Sequence, residues 1–431
     1  MSHQDIPPPS RNTSTWFKSP KLGLFLHWGL YALEGWHEQD QWRRNWSRAD
    51  YAKLAQRFTG KKFDPHAWID VAEEMGASYI CLTTKHADGF CLFESRHTDF
   101  HSVNTPFGRD VVRELADACH ERDMPLFLYY SIVDEHHPGY PHAGRRWEYA
   151  GPQPGDTPSK AAYLDYVRAQ VTELCTQYGK IHGFWWDANP AAWRDASINA
   201  LIRKLQPGIV INNRGFDAGD YGTPERDWDD SVNEQLHFTR PTEACQALGS
   251  QSWGHRREED YYTFVHLVRS LAKIHGKGGH YLLNTGPKPD GSIDAAERRT
   301  LRSLGKWSRA TREAFDGVKR VSDLLVTRDV LLTRKDARTY YVIVHQPQTT
   351  RAVQLKPFTS LPARATELVT GRPVQTRNDV LPWDHELEKG FLRLYNLPDA
   401  LLNTTAAVIK LEFDRPPKRE KLVGAADVIE P

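Results

Sequence analysis

Asp187 ends an apolar, aromatic run, Ile-His-Gly-Phe-Trp-Trp-Asp at 181–187, and a Pro-containing loop follows. In a chain of alternating strands and helices, the carboxyl ends of strands are where sites are built. The flat faces of Trp185 and Trp186 suit the C–H side of a sugar ring, with the acid beside it. A strand-end carboxylate can equally cap the next helix, so Asp187 counts only in company. That company is His27, His86, Tyr130, Arg214, Trp253 and Asn284, each at the carboxyl end of an expected strand. On a barrel, all of them would face one rim, and their convergence rather than any single residue marks a site. Cleaving a glycosidic bond takes a second carboxyl group. Glu225 lies 38 residues beyond Asp187, directly after a Thr-Pro; Glu243 lies 56 residues beyond it, and Asp227, Asp229 and Asp230 fall between them. Arg214 would hold one carboxylate ionised and suit it to nucleophilic attack. A partner carboxyl among aromatics would be raised and act as general acid, with His27 and His86 as neutral donors to sugar hydroxyls.

Seven short segments must position these groups. Strands are expected at Lys21–Gly29, Ala77–Thr84, Pro125–Ser131, around 181–187, Gly208–Asn212, Ser250–Gly254 and Gly279–Gly286. Helical spacing separates them at Arg48–Phe58, Trp68–Met75, Asp110–Asp123, Ala161–Tyr178, Asp195–Leu205, Tyr261–Ile274 and Ala295–Ala314. Short apolar strands alternating with helices predict parallel β/α units. No glycine-rich phosphate fingerprint follows the first strand, which disfavours a doubly wound sheet and favours an α/β (β/α)8-like barrel, irregular in its second half. The stretch from Asp134 to Ser159 is longer than an ordinary connection and reads as a binding loop or lid. From about Val318 the texture changes to short alternating runs (331–334, 339–345, 352–355, 365–368, 390–395 and 407–413), which predict a C-terminal all-β sandwich. The expected organisation is an N-terminal arm at 1–20 lying over the surface, a barrel at 21–317, a sandwich at 318–414 and a frayed tail at 415–431.

Composition removes other classes. Fifty-six Lys and Arg against 55 Asp and Glu leave a net charge of +1 in 431 residues, so nothing points to nucleic acid or an anionic membrane. No apolar run reaches membrane-spanning length. Neither a secretory signal nor a CxxC pair is seen, and the five cysteines are expected as free thiols in a cytoplasmic protein. No histidine pair has metal-ligand spacing, and no Gly-x-Ser-x-Gly elbow marks a serine hydrolase. Fourteen tryptophans favour a ring-stacking ligand such as a carbohydrate.

The same residues carry a resemblance. The segments Gly23–Gly29 (Gly-Leu-Phe-Leu-His-Trp-Gly), Leu82–Phe90 (Leu-Thr-Thr-Lys-His-Ala-Asp-Gly-Phe), Thr105–Asp110, Leu128–Ser131, Gly183–Asp187, Asn212–Arg214, Gly219–Glu225 and Leu282–Pro287 occur in order. Together they resemble the α-L-fucosidases of glycoside hydrolase family 29, over about Lys21 to Trp307, and the trailing β-domain fits that family too. The resemblance implies retaining, exo-acting hydrolysis of terminal α-linked L-fucose from glycans by double displacement, without cofactor or metal. It implies Asp187 as nucleophile and Glu225 as acid/base, with Glu243 the second candidate for that role. It places His27, Trp42, His86, Tyr130, Arg214, Glu243 and Trp253 at the substrate. One departure stands out: the family has His-His where this chain has His86-Ala87, which removes a donor expected at a sugar hydroxyl. Two other functions remain open at this point, an inactive carbohydrate-binding homologue and a retaining glycosidase for a related sugar.

Overall fold

The computed structural model describes residues 15–142, 144–145, 148–190, 192–226, 235–380, 382 and 390–420. Seven parallel strands form the main sheet: β1 Leu22–Leu26, β2 Ile80–Lys85, β3 Leu126–Ser131, β4 Gly183–Asp187, β5 Val210–Ile211, β6 Glu243–Ala247 and β7 His280–Thr285. Their order is β5-β4-β3-β2-β1-β7-β6. The stretch from Tyr221 to Glu225 runs between the two ends, with single parallel bridges from Tyr221 to Asn212 beside β5 and from Glu225 to Cys245 in β6. The ring is thereby closed by an irregular eighth segment, in keeping with a (β/α)8-like barrel irregular in its second half.

Helices between the strands begin on side-chain caps. Asp64, Asp110, Ser159, Asp195, Thr263 and Asp294 each accept an amide hydrogen of the first turn. Such a cap satisfies a donor the helix itself cannot pair.

Period-two alternation sorts the strands' side chains into two cores. One set meets the surrounding helices, with Tyr130, Phe184 and Trp186 among it. The other fills the barrel: Phe25, Tyr79, Cys81, Phe127, Tyr129, Trp185, Val210, Tyr221, Cys245 and Leu282. Gly23 and Gly183 let the barrel hold those aromatic rings, since a Cβ at either position would stand 2.3 Å from the Tyr79 ring or 2.2 Å from the Phe127 ring. Residues 1–14 of the expected N-terminal arm lie outside the described residues, and the rest of it, from Thr15, does not simply lie over the surface. Trp16 packs on Tyr79 and Phe127, and Phe17 stacks on His280, so the two rings close the amino end of the barrel.

After the helix at 295–311 come eight antiparallel strands in sheets of five and three: β8 Lys319–Arg320, β9 Val330–Arg334, β10 Thr339–Val344, β11 Val353–Leu355, β12 Arg364–Glu367, β13 Gln375–Asp379, β14 Phe391–Tyr395 and β15 Ala407–Glu412. Their shared interior includes Leu332, Val342, Leu355, Leu392, Leu394 and Ile409. The opposite face of the larger sheet, with Leu331, Tyr341, Ile343 and Val408, joins the core around the barrel helices. The expected tail begins later than 415, because the chain pairs through 419 and 420 with Phe358 and Pro357. Residues 421–431 lie outside the described residues.

Candidate active site

The carboxyl end of the barrel opens into a cavity of about 540 Å³, lined by Phe25, His27, Glu38, Gln39, Trp42, Arg43, His86, Tyr129, Trp185, Asp187, Ala188, Arg214, Glu225, Cys245 and Trp253. Eight residues expected from the sequence therefore meet here: His27, Trp42, His86, Trp185, Asp187, Arg214, Glu225 and Trp253.

Asp187 stands at the last position of β4. Tyr129 donates its hydroxyl to Asp187 Oδ2 at 2.8 Å, and Arg214 Nη1 donates to Oδ1 at 3.1 Å. Burial alone would raise this carboxyl, but the Arg214 charge and the Tyr129 hydrogen bond outweigh it and hold Asp187 below its ordinary value. The same Arg214 Nη1 donates to Glu225 Oε2 at 2.9 Å. Bonds of 3.1 and 2.9 Å to one nitrogen keep those two carboxylate oxygens within about 6 Å of each other. Thr223 fixes the guanidinium from the other side, its hydroxyl accepting from Nε and its carbonyl from Nη2, each at 2.9 Å. Arg214 also lies over the Trp185 ring, 4.8 Å from its centre.

The polar wall opposite is built around Glu38. It accepts from the Ser252 hydroxyl and the Trp253 amide, each at 2.8 Å, and pairs with His37 at 3.3 Å. Burial works against its charge, yet the neighbouring imidazoles, His37 first, hold the carboxyl down at about 2. His27 lies 2.6 Å, Nδ1 to Oδ1, from Asn284, whose amide donates in turn to the Trp253 carbonyl. Burial lowers His27 to about 3 and also lowers His86, so both are neutral at pH 7. His86 Nδ1 and Trp42 Nε1 are buried with no hydrogen-bond partner among the described residues. Buried polar atoms are almost always paired, so these two suit ligand hydroxyls. Asn284 supports the wall without lining it.

Three expected residues stand elsewhere. Trp186 faces the core outside the barrel, where its indole donates to Asn199 at 2.8 Å. Tyr130 pairs in register with Trp186 and points outward, where its hydroxyl donates to Gln170 at 2.7 Å. Tyr129, which pairs with Trp185 on the Asp187 side, takes the place expected of it. Glu243 opens β6 beside His280, at the amino end of the barrel, and is fully buried. It accepts from Tyr79 at 2.5 Å and Trp185 Nε1 at 2.8 Å, and burial raises it to about 7. The raised carboxyl among aromatics thus exists, but at the closed end. The strand expected at Ser250–Gly254 is a loop, which brings Trp253 over the cavity. Ala87 does not line the cavity; it is buried in the core outside the barrel. Asp227, Asp229 and Asp230 lie outside the described residues. Glu38, Tyr129 and Asn284 complete the site; counting alternate residues back from Asp187 would have selected Tyr129.

The alpha-L-fucosidase family model matches residues 6–313. The chain belongs to that family. The human tissue alpha-L-fucosidase is 26% identical over 416 residues, covering 90% of this chain and 86% of the relative. Among solved structures, alpha-L-fucosidase isoenzyme 1 from Paenibacillus thiaminolyticus superposes with a TM-score of 0.80 at 30% identity, covering 93% of this chain and 99% of that one. A Bacteroides thetaiotaomicron alpha-L-fucosidase, trapped as a covalent intermediate with 2-fluoro-fucosyl fluoride, shares the fold at a TM-score of 0.74 and 24% identity, covering 94% and 98% of the two chains.

Proposed function

We propose that this protein is a retaining, exo-acting α-L-fucosidase in which Asp187 is the nucleophile and Glu225 the general acid/base. One observation carries the reading: a single nitrogen of Arg214 bonds both carboxylates at the cavity. Asp187, held ionised by Arg214 and Tyr129, attacks the anomeric carbon of a terminal fucose. The glycosidic C–O bond breaks as Glu225 gives its proton to the leaving oxygen, and a fucosyl–Asp187 ester forms. Glu225, now a carboxylate, takes a proton from water; the water oxygen attacks the anomeric carbon and Asp187 leaves. Each turnover consumes one water and releases fucose with its configuration retained. His86 and Trp42, each with an unpaired ring nitrogen, and His27, Glu38 and Trp253 supply the grip on the sugar. The substrate is a fucosylated glycan, and the free state of all five cysteines supports the cytoplasmic placement expected from the sequence.

The test is turnover of an aryl α-L-fucoside by the wild type, Asp187→Ala and Glu225→Ala, with and without azide. The reading requires wild-type turnover, a dead Asp187→Ala restored by azide to give the inverted azide, and a Glu225→Ala rescued to give the retained azide. Absence of wild-type turnover, or azide rescue at Glu243→Ala instead of Glu225→Ala, contradicts it.

A further inference from the structure

Residue 188 follows the nucleophile, lines the cavity and is an alanine in the left-handed region, with φ at 57°. Only glycine reaches that region without steric cost, so a side chain there must be held by its surroundings. Asp187 itself is anchored in the sheet, its carbonyl accepting from the Ile132 amide at 2.9 Å. Beyond it the chain turns away sharply, and Asn189 steadies the far side by donating to the carbonyls of Trp193 and Gly215.

Arg145 holds the near side. Both of its terminal nitrogens donate to the Ala188 carbonyl at 3.2 Å. The guanidinium is oriented in turn by Glu148, at 3.0 Å, and by the Tyr140 hydroxyl, at 3.1 Å. Arg145 belongs to the long stretch between β3 and the helix at 160–177, which is fastened to other rim segments. Glu135 donates its amide to the Ala87 carbonyl, Tyr149 donates its hydroxyl to the Trp46 carbonyl, and Arg48 binds both oxygens of Asp156. A stretch so fastened behaves as a strap that delivers a fork of donors to a fixed point, rather than as a free lid.

We propose that Arg145 is a positioning residue for the nucleophile: by clamping the Ala188 carbonyl it keeps residue 188 left-handed, and that turn sets the direction of the Asp187 carboxylate. The inference rests on Asp187 being the nucleophile. Arg145 touches neither carboxylate, so its effect falls on geometry and not on the charge of either acid.

The experiment compares aryl α-L-fucoside kinetics for the full-length wild type, Arg145→Ala, Arg145→Lys, Ala188→Gly and the Arg145→Ala/Ala188→Gly double variant. Arg145→Ala is expected to lower kcat about 10–100-fold, the scale of a displaced catalytic group, with KM changed less than about threefold. The acid limb of its pH profile stays in place, because Arg214 and Tyr129 are untouched. Glycine takes the left-handed conformation freely, so in the double variant Ala188→Gly restores at least half of the logarithmic loss that Arg145→Ala causes, measured against Ala188→Gly alone. Arg145→Lys, which keeps the charge beside Glu148 but not the fork, falls between; it replaces Arg145→Ala in the comparison if that variant does not fold. An Arg145→Ala enzyme within twofold of wild type, or a loss that Ala188→Gly leaves untouched, overturns the inference and leaves the fucosidase reading standing. A wild type without turnover overturns both.

Discussion

Replacing Tyr129 by Phe removes one hydroxyl and little else. The ring keeps its stacking on Trp185, at 5.5 Å between centres, and on His86, at 5.7 Å. What is lost is the 2.8 Å hydrogen bond to Asp187 Oδ2, one of the two bonds that hold that carboxylate ionised against its burial. A hydrogen bond to a charged group is worth about 1.5–3 kcal/mol, and 1.36 kcal/mol moves a pKa by one unit. Arg214 remains and 27% of the Asp187 side chain is exposed, so the lower end applies and Asp187 should rise by about one unit. The assay is kcat/KM for an aryl α-L-fucoside against pH, which reports the free enzyme's ionisations. The acid limb should move to higher pH by about one unit, with the basic limb unmoved. The sign for stability follows. Asp187 has a folded pKa below its unfolded one, so its bonds stabilise above about pH 3.9 and that contribution is lost as pH falls through the folded value. Tyr129→Phe should therefore melt below wild type at pH 7, and the two should converge once the pH has fallen below the folded value of Asp187. An acid limb that does not move would refute the assignment of Tyr129 as the group that sets the nucleophile's charge.

Tyr130→Phe, one residue on, should leave kcat/KM within about threefold of wild type while costing about 1 kcal/mol of stability in a denaturant titration, because only the Gln170 hydrogen bond is lost. Glu243→Gln presents an NH2 group to one of two donors, Tyr79 or Trp185, and should cost about 1–3 kcal/mol; azide should not rescue it. Because the folded pKa of Glu243 is raised from 4.5 to about 7, its stabilisation is full below the lower value and lost as pH rises through the upper one. The melting temperature of Glu243→Gln should lack that slope between pH 4.5 and 7. Trp16→Ala, opening the amino end of the barrel, should lower stability by about 3 kcal/mol without changing KM, read by denaturant unfolding beside steady-state kinetics.

The order of the strands and the residues at their ends were legible because each barrel strand except β6 carries a dense apolar run that stops at a polar group. His27, His86, Asp187 and Arg214 follow directly from that pattern. Facing direction was harder. In β3 all six residues are buried, so no polar alternation distinguishes Tyr129 from Tyr130, and only the parity set by Asp187 does. The strand β6 reads Glu-Ala-Cys-Gln-Ala and buries both of its polar residues, Glu243 inside the barrel, so it gave no apolar signal and Glu243 looked like loop. Glu38 lies in an irregular Trp- and charge-rich stretch, and its place opposite Ser252 and Trp253 is a contact across 214 and 215 residues of sequence. Trp16 and Phe17 looked like part of a polar arm, because their partners, Tyr79, Phe127 and His280, are distant in the chain.

The most direct measurement is the site of covalent capture. A 2-fluoro-fucosyl fluoride slows both displacement steps through its C2 fluorine, while the fluoride leaving group keeps the first step accessible. Treated wild-type protein, digested and mapped by mass spectrometry, should carry one 2-fluoro-fucosyl group on Asp187, and Asp187→Ala should carry none. Label on any other residue, or a wild type that turns over aryl fucoside yet never forms the adduct, would contradict double displacement through Asp187.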